Sequence, residues 1–414
     1  MIGTLIEEWA KRQVLSALGQ LRTGSLTVQM PGETRVFGNG FGHHATLVVE
    51  SPDFFTQVLA GGEVGVGDAY MDGSWSTPDL VALVSVMLEN QSVITSLPAW
   101  LSWLPHTIER LSHWRRGNSI DGSRQNIHEH YDLGNTFFRL FLDRNLLYSS
   151  AIYARPDDSL EAAQTHKLRV ICERLELEPS DRVLEIGTGW GGLALFAATH
   201  YGCHVTTTTI STEQFVCAAE RLSAAGDVKR RIDLRLEDYR DLRGSFDKIV
   251  SVEMFEAVGL DHYDAFFGAC DRLLTDGGRM LMQTITVDDW RFDDYLSTPS
   301  WIAKRIFPGS ELASVARILT SLGRVTRLNL DHADQIGVHY ARTLHQWRER
   351  FHGRLDEVRA LGFDDRFIRM WDLYLGYCEA AFRGRHIGNI QLTLRKAGVR
   401  SVAPRQVRQE DAVA

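Results

Sequence analysis

A chain of 414 residues exceeds what one ordinary hydrophobic core holds, so two or more packed units are expected. Hydrophobic residues at 44% and charged residues at 24% exclude wholesale disorder, and a formal net charge of −8 excludes the clustered basic footprint of a nucleic-acid binder. Five scattered cysteines (Cys172, Cys203, Cys217, Cys270 and Cys378), without paired spacing, suggest neither a disulfide framework nor a zinc site.

In chain order, MIGTLIEEWAKRQVL carries acids where a secretory signal would carry only basic residues, and no apolar run is long enough to cross a bilayer. A cytoplasmic protein is expected. Residues 1–120 read as a small α+β unit: an amphipathic first helix, strands at SLTVQM and ATLVVE around PGETRVFGNGFG, then helical patterns. The glycine-dense stretch GGEVGVGDAYMDGSW, Gly61 to Trp75, predicts tight turns and close backbone approach. From Pro98 to Gly117, Trp100, Trp103, Leu104, Ile108, Leu111 and Trp114 recur at helical spacing beside Arg110, Arg115 and Arg116. That pattern suits a bilayer interface and equally suits packing against the next domain. Gly117 to Gln125 reads as a linker.

Residues 121–396 form the larger unit. From about residue 158, where Asp158 and Glu161 resemble a helix start, helices alternate with strands at RVLEIG, CHVTTTT, IDLRL, KIVSV and RMLMQTIT. The expected fold class is therefore α/β, a Rossmann-like parallel sheet covered on both faces. Tyr295 to Lys396 reads as mainly helical and aromatic, partly continuing the sheet and partly covering its open end. Residues 397–414 read as a polar, flexible tail.

The loop VLEIGTGWGG, directly after a strand and opening a helix, places Gly187, Gly189 and Gly192 where a backbone can approach a ligand closely. Its spacing also satisfies the dinucleotide fingerprint. A dinucleotide site wants an acid at the end of the second strand, yet Thr206 to Thr209 stand there. Glu185 suits a cationic cofactor instead.

The blocks HEHYDLGNTFFRLFLD (His128 to Asp143), YSSAIY (Tyr148 to Tyr153), SVEMFEAVG (Ser251 to Gly259), IFPGSELAS (Ile306 to Ser314) and VHYARTLHQWRERF (Val338 to Phe351) follow one another in order. Together they resemble the cyclopropane fatty acid synthase and mycolic acid methyltransferase family, over residues 60–395. The resemblance implies an S-adenosylmethionine-dependent methyltransferase domain with helical acyl-site elements, preceded by the small domain of the phospholipid-acting members. It implies Tyr148 and Ser149 at the cofactor's methionine part, Gly187 and Gly189 in the crevice, Thr209 and Gln214 toward the ribose, and Glu237, Asp238 and Tyr239 around the adenine. It further implies a bicarbonate ion held by Glu256, Gln283, Tyr340, Ser150 and Ile285. Serine at 150 and glutamine at 283 depart from the family's usual cysteine and histidine. The substrate implied is an unsaturated phospholipid acyl chain at the inner membrane face, with a homodimer or higher oligomer expected.

Methyl transfer to an alkene creates a carbocation, which aromatic faces stabilise; Tyr131, Phe137, Phe138, Tyr340, Trp347 and Tyr374 are the candidates. Loss of a proton from the new methyl closes a cyclopropane, and loss from a neighbouring carbon leaves a methyl-branched alkene. Cyclopropane formation is the expected outcome and the methyl alkene its alternative. A small-amine N-methyltransferase and an inactive lipid-binding protein are the competitors from other classes.

Overall fold

The structure, a computed structural model, describes residues 2–91, 133–298 and 300–398, with side chains from residue 5 onward. The tryptophan and arginine segment, Tyr131, the boundary at 120 and the tail beyond 398 lie outside the described residues.

The first sheet orders β2 (Glu33–Gly38), β1 (Ser25–Met30), β3 (His44–Val49) and β4 (Trp75–Ser76) side by side. Alternation in SLTVQM turns Leu26, Val28 and Met30 inward. Helices α1 (Ile2–Leu18), α2 (Asp53–Met71) and α3 (Leu80–Glu89) accompany it. The glycine-dense stretch is not a turn region, because most of it lies inside α2, bent at Gly62 where φ is 53°. Its glycines serve close approach: a Cβ on Gly67 would stand 2.4 Å from the Trp301 ring, and one on Gly65 2.0 Å from the Gln57 carbonyl oxygen.

The second sheet sets seven strands side by side in the order β10 (Leu328–Gln335), β11 (Ile387–Lys396), β9 (Leu274–Val287), β8 (Phe246–Val252), β5 (Arg182–Ile186), β6 (His204–Thr209) and β7 (Ile232–Leu236). In chain order, α4 (Leu160–Arg174) leads to β5 (Arg182–Ile186), α5 (Gly192–Tyr201), β6 (His204–Thr209), α6 (Thr212–Ser223), β7 (Ile232–Leu236), β8 (Phe246–Val252), α7 (Tyr263–Leu273) and β9 (Leu274–Val287). The N-cap of α4 is Ser159, not Asp158: its side chain accepts from the Ala162 amide, while Asp158 accepts from Ala154 and Arg155. Strands β5 to β9 pair in parallel. The chain proceeds from β5 outward to β7, then returns to β8 on the other side of β5. That reversal opens a crevice at the carboxyl ends of β5 and β8, where ligands bind in such sheets.

The segment after Tyr295 adds α8 (Val315–Val325), β10 (Leu328–Gln335), α9 (Gly337–His352), α10 (Asp365–Arg383) and β11 (Ile387–Lys396). Strand β11 joins β9 antiparallel. Helix α10 ties the two sheets' cores together, since Asp372 accepts from Tyr70 (2.7 Å) and from Arg348 (2.6 Å). Burial alone would raise the Asp372 carboxyl, but His352, Arg348 and Tyr70 bring it down to about 2.

Gly67→Ala should therefore destabilise by about 1–3 kcal/mol, the usual range for overpacking. Gly61→Ala, where a Cβ meets nothing within 4 Å, should be neutral or stabilising. Urea denaturation of both variants against the parent measures the contrast.

Candidate active site

Strand β5 ends at Ile186 and the chain turns through Gly187 (φ 100°) and Gly189 (φ 52°) into α5. Backbone of this shape suits glycine, and a Cβ on Gly187 would stand 3.1 Å from Met254 Cβ. The loop walls one end of a cavity of about 830 Å³, large enough for a cofactor and part of a substrate. All ten residues expected around the cofactor line it: Tyr148, Ser149, Glu185, Gly187, Gly189, Thr209, Gln214, Glu237, Asp238 and Tyr239.

Their surroundings hold them in place. Thr207 donates to Glu185 at 2.6 Å, and burial raises the Glu185 carboxyl to about 8. Thr209 donates to Gln214 at 3.0 Å, Arg240 holds Asp238 at 2.7 Å, and Tyr239 stands edge-on to Phe266. Buried Lys167 donates to Ser149 at 2.7 Å; burial draws its ammonium down to about 8 against the pull of Glu253, Asp143 and Glu185. Asp143 anchors the same loop by accepting from the amides of Asn145 and Leu147.

The second carboxylate cluster differs from the expected grouping. Tyr340, Gln283 and Ser150 do not gather about Glu256. They converge on Glu253, which follows β8 directly and has φ 47°. Glu253 Oε1 accepts from the Ser150 amide (3.0 Å), Gln283 Nε2 (2.7 Å) and Asn389 Nδ2 (2.6 Å), and Oε2 accepts from the Tyr340 hydroxyl (2.7 Å). The reason is local, because the left-handed turn directs Glu253 against β9 and β11, whereas Glu256 lies within the short helical turn Phe255–Ala257 beyond it. Glu256 Oε1 accepts instead from the Ile285 amide (2.6 Å) and the Thr284 hydroxyl (3.0 Å). Burial, then the neighbouring Glu253, raises the Glu256 carboxyl to about 7. Both glutamates line the cavity.

Glu253, Asn389 and Lys167 were absent from the expected set. Glu253 had a signal, a second acid in SVEMFEAVG at the end of a strand bordering the crevice. Asn389 had none, since only the pairing of β11 with β9 brings it there.

Beyond the carboxylates one face of the cavity is aromatic, while Glu63, Glu89, Arg291, Asp294 and His386 line it elsewhere. Tyr148, Phe307, Tyr340, Tyr374 and Phe382 form the aromatic face, with Tyr340 stacked on Phe382 at 4.5 Å and Tyr148 donating to Tyr374 at 3.0 Å. Three of the expected aromatic residues stand elsewhere. Phe137 and Phe138 are fully buried in a cluster around Trp371, and Trp347 lies behind Tyr340 and Tyr148. Their large apolar surfaces form the core that backs the cavity wall.

The description mycolic acid cyclopropane synthetase matches residues 119–392. The chain belongs to that family. It is 39% identical to tuberculostearic acid methyltransferase of Mycobacterium tuberculosis, over 85% of this chain and 84% of the relative. It is 40% identical to cyclopropane-fatty-acyl-phospholipid synthase of Escherichia coli K12, over 83% and 86% respectively. A solved mycolic acid cyclopropane synthase complexed with SAH and CTAB superposes with a TM-score of 0.62 at 29% identity, covering 66% of this chain and 98% of that one. Like its relatives in the family, the chain is an S-adenosylmethionine-dependent methyltransferase. The residues present fit this cofactor: the glycine turn leaves open space at Gly189, and Glu185 offers an acid to a cationic ligand. A bicarbonate ion does not fit in the same way, because the donors that would hold it are engaged by the Glu253 carboxylate.

Two outcomes follow for the cofactor end. Gly189→Val, a β-branched residue at φ 52° facing the cavity, should abolish calorimetric binding of S-adenosylmethionine at a stability cost of about 1–2 kcal/mol. Glu185 titrates from 4.5 unfolded to about 8 folded, so its stabilising contribution is whole below 4.5 and is lost as pH rises through 8. Glu185→Gln, which does not titrate, should therefore gain on the parent by on the order of 1–3 kcal/mol between about pH 5 and pH 9 in denaturation measured without cofactor.

Proposed function

We propose that the enzyme transfers the methyl group of S-adenosylmethionine to the double bond of an unsaturated acyl chain, carried in a phospholipid at the membrane surface, and releases a methyl-branched alkene. The observation that carries the reading is that one cavity joins the glycine crevice to the aromatic face formed by Tyr148, Phe307, Tyr340, Tyr374 and Phe382. An acyl chain lies against such a face without losing hydrogen bonds. A small charged amine would forfeit its hydration there. No helix among the described residues is long and apolar enough to cross a membrane, so the reading has the lipid presented at the surface to this cavity.

When bound, S-adenosylmethionine supplies an electrophilic methyl group on sulfur. The residues of the chain do the remaining work. Gly187 and Gly189 let backbone approach the cofactor, Glu185 balances its positive charge, and the loop from Asp143 to Ser150 fixes Tyr148 and Ser149 beside it. An isolated alkene is a weak nucleophile, so alignment and exclusion of water carry most of the rate. Tyr340, Tyr374 and Phe382 offer ring faces to the cation that forms on the acyl chain.

The product depends on which proton leaves. Loss from the carbon beside the cation gives an unstrained alkene, whereas ring closure from the new methyl builds a strained ring and needs a base held against that methyl. The family's usual cysteine and histidine are Ser150 and Gln283 here, and Ser150 turns its hydroxyl to the Ala151 carbonyl. These departures support the alkene. Cyclopropane formation is the second reading, favoured by the 40% identity to the Escherichia coli synthase.

Purified enzyme with methyl-labelled S-adenosylmethionine should label vesicles of monounsaturated phospholipid and leave saturated vesicles and an amine panel unlabelled. Mild hydrogenation should then add two hydrogens to the product, as an alkene requires; resistance to hydrogenation would identify the cyclopropane. Label on amines alone would overturn the substrate.

A further inference from the structure

Glu253 is one of four non-glycine residues with positive φ among the described residues, and it ends the strand whose carboxyl edge borders the crevice. Left-handed backbone is unfavourable for a residue that carries a side chain, so the surroundings must hold it there. They do so with four donors and no acceptor. The amide of Ser150, the carboxamides of Gln283 and Asn389 and the hydroxyl of Tyr340 all point at its two oxygens, at 2.6–3.0 Å. All four donor residues are buried. The Gln283 carboxamide is itself oriented, because Gln391 Nε2 donates to its oxygen at 2.8 Å while Arg174 donates to Gln391 at 2.7 Å. Arg174 thereby fixes, through Gln391, which end of Gln283 faces Glu253. A cradle made only of donors is built for an anion.

We propose that Glu253 is the enzyme's own base, its carboxylate occupying the cradle in which a dissolved anion would otherwise sit. The inference rests on the methyl-transfer reading above. In the step it serves, the alkene's π pair forms a bond to the methyl carbon, and the bond from that carbon to sulfur breaks with its pair passing to sulfur. The adjoining acyl carbon becomes cationic. Glu253 then takes a proton from the carbon beside the cation, and the C–H pair closes the new double bond. Charge and atoms balance without a further reactant: one cationic cofactor and one carboxylate become a neutral thioether and a neutral carboxylic acid.

The four hydrogen bonds fix both oxygens of Glu253 in place, which suits the task. A proton beside a carbocation is so acidic that placement matters more than base strength. An oxygen whose lone pairs are engaged is less prone to add to the cation and form an ester. Glu256 has a different role, bracing β9 through the Ile285 amide.

The test compares the parent enzyme with Glu253→Gln and Glu253→Gly. Parent lipid labelling should be the same in carbonate-depleted buffer and with bicarbonate added. Glu253→Gln should lower turnover about 100-fold or more, the scale of losing a general base, with S-adenosylmethionine affinity kept within about threefold. Glu253→Gly suits the left-handed backbone and frees the donors, so it should gain saturable bicarbonate binding by calorimetry that the parent lacks, and bicarbonate should restore at least about tenfold of its lost turnover. Carbonate dependence in the parent, full turnover by Glu253→Gln, or no bicarbonate binding by Glu253→Gly would each overturn the proposal. The calorimetric arm needs no lipid, so it reports on the cradle even where vesicles take no label, an outcome that would sink the substrate reading alone.

Discussion

Strands β5 and β8 lie side by side while the segments that follow them depart to opposite sides, and the gap between those departures is the constraint on which the site depends. Backbone that leaves a strand into a crevice has no ladder partner, so it must turn sharply and find its hydrogen bonds elsewhere. After β5 the solution is glycine, and two left-handed residues open a wall to the cofactor. After β8 it is a glutamate in the same region of backbone space, held by side chains from three other segments. One end of the crevice thus admits a ligand and the other presents a charge.

That charge is costly to keep beside an aromatic face unless it is fully hydrogen-bonded. Asn389 and Gln283 face Glu253 because β11 runs antiparallel to β9 with Gln391 opposite Gln283 and Asn389 opposite Ile285. Tyr340 comes from α9, which also carries part of the aromatic core. The late strand and helix, which could be mistaken for a mere cover on the sheet, supply the donors that hold the Glu253 carboxylate at the cavity. Their placement couples the acyl wall to the carboxylate, so the surface that would stabilise a cation and the group that would remove its proton belong to one packed unit.

Much of this was legible in the sequence, and the exceptions have physical causes. RVLEIG, IDLRL and SLTVQM declare their strands through alternation or a continuous buried run. The glycine-dense stretch misled because glycine serves close packing as readily as a turn: Gly67 lies in a helix, beneath Trp301, which is more than two hundred residues away in the chain. The cofactor end could be read from one loop and its neighbours. The carboxylate cluster could not, because two glutamates three residues apart offered the same chemistry and only the left-handed turn at Glu253 and the late pairing of β11 with β9 show which one meets Tyr340. Phe137, Phe138 and Trp347 carry the right chemistry for a cation site but stand one layer behind it, a distinction that composition and spacing do not encode.

Addition of a methyl group to an acyl double bond, followed by loss of a proton from a neighbouring carbon, leaves an isotopic signature. Deuterium tracing tests it directly. With S-adenosylmethionine trideuterated on the methyl group and an unlabelled monounsaturated phospholipid, the product acyl chain should keep all three deuterium atoms. A product keeping only two would contradict it, because the proton would then have come from the transferred methyl.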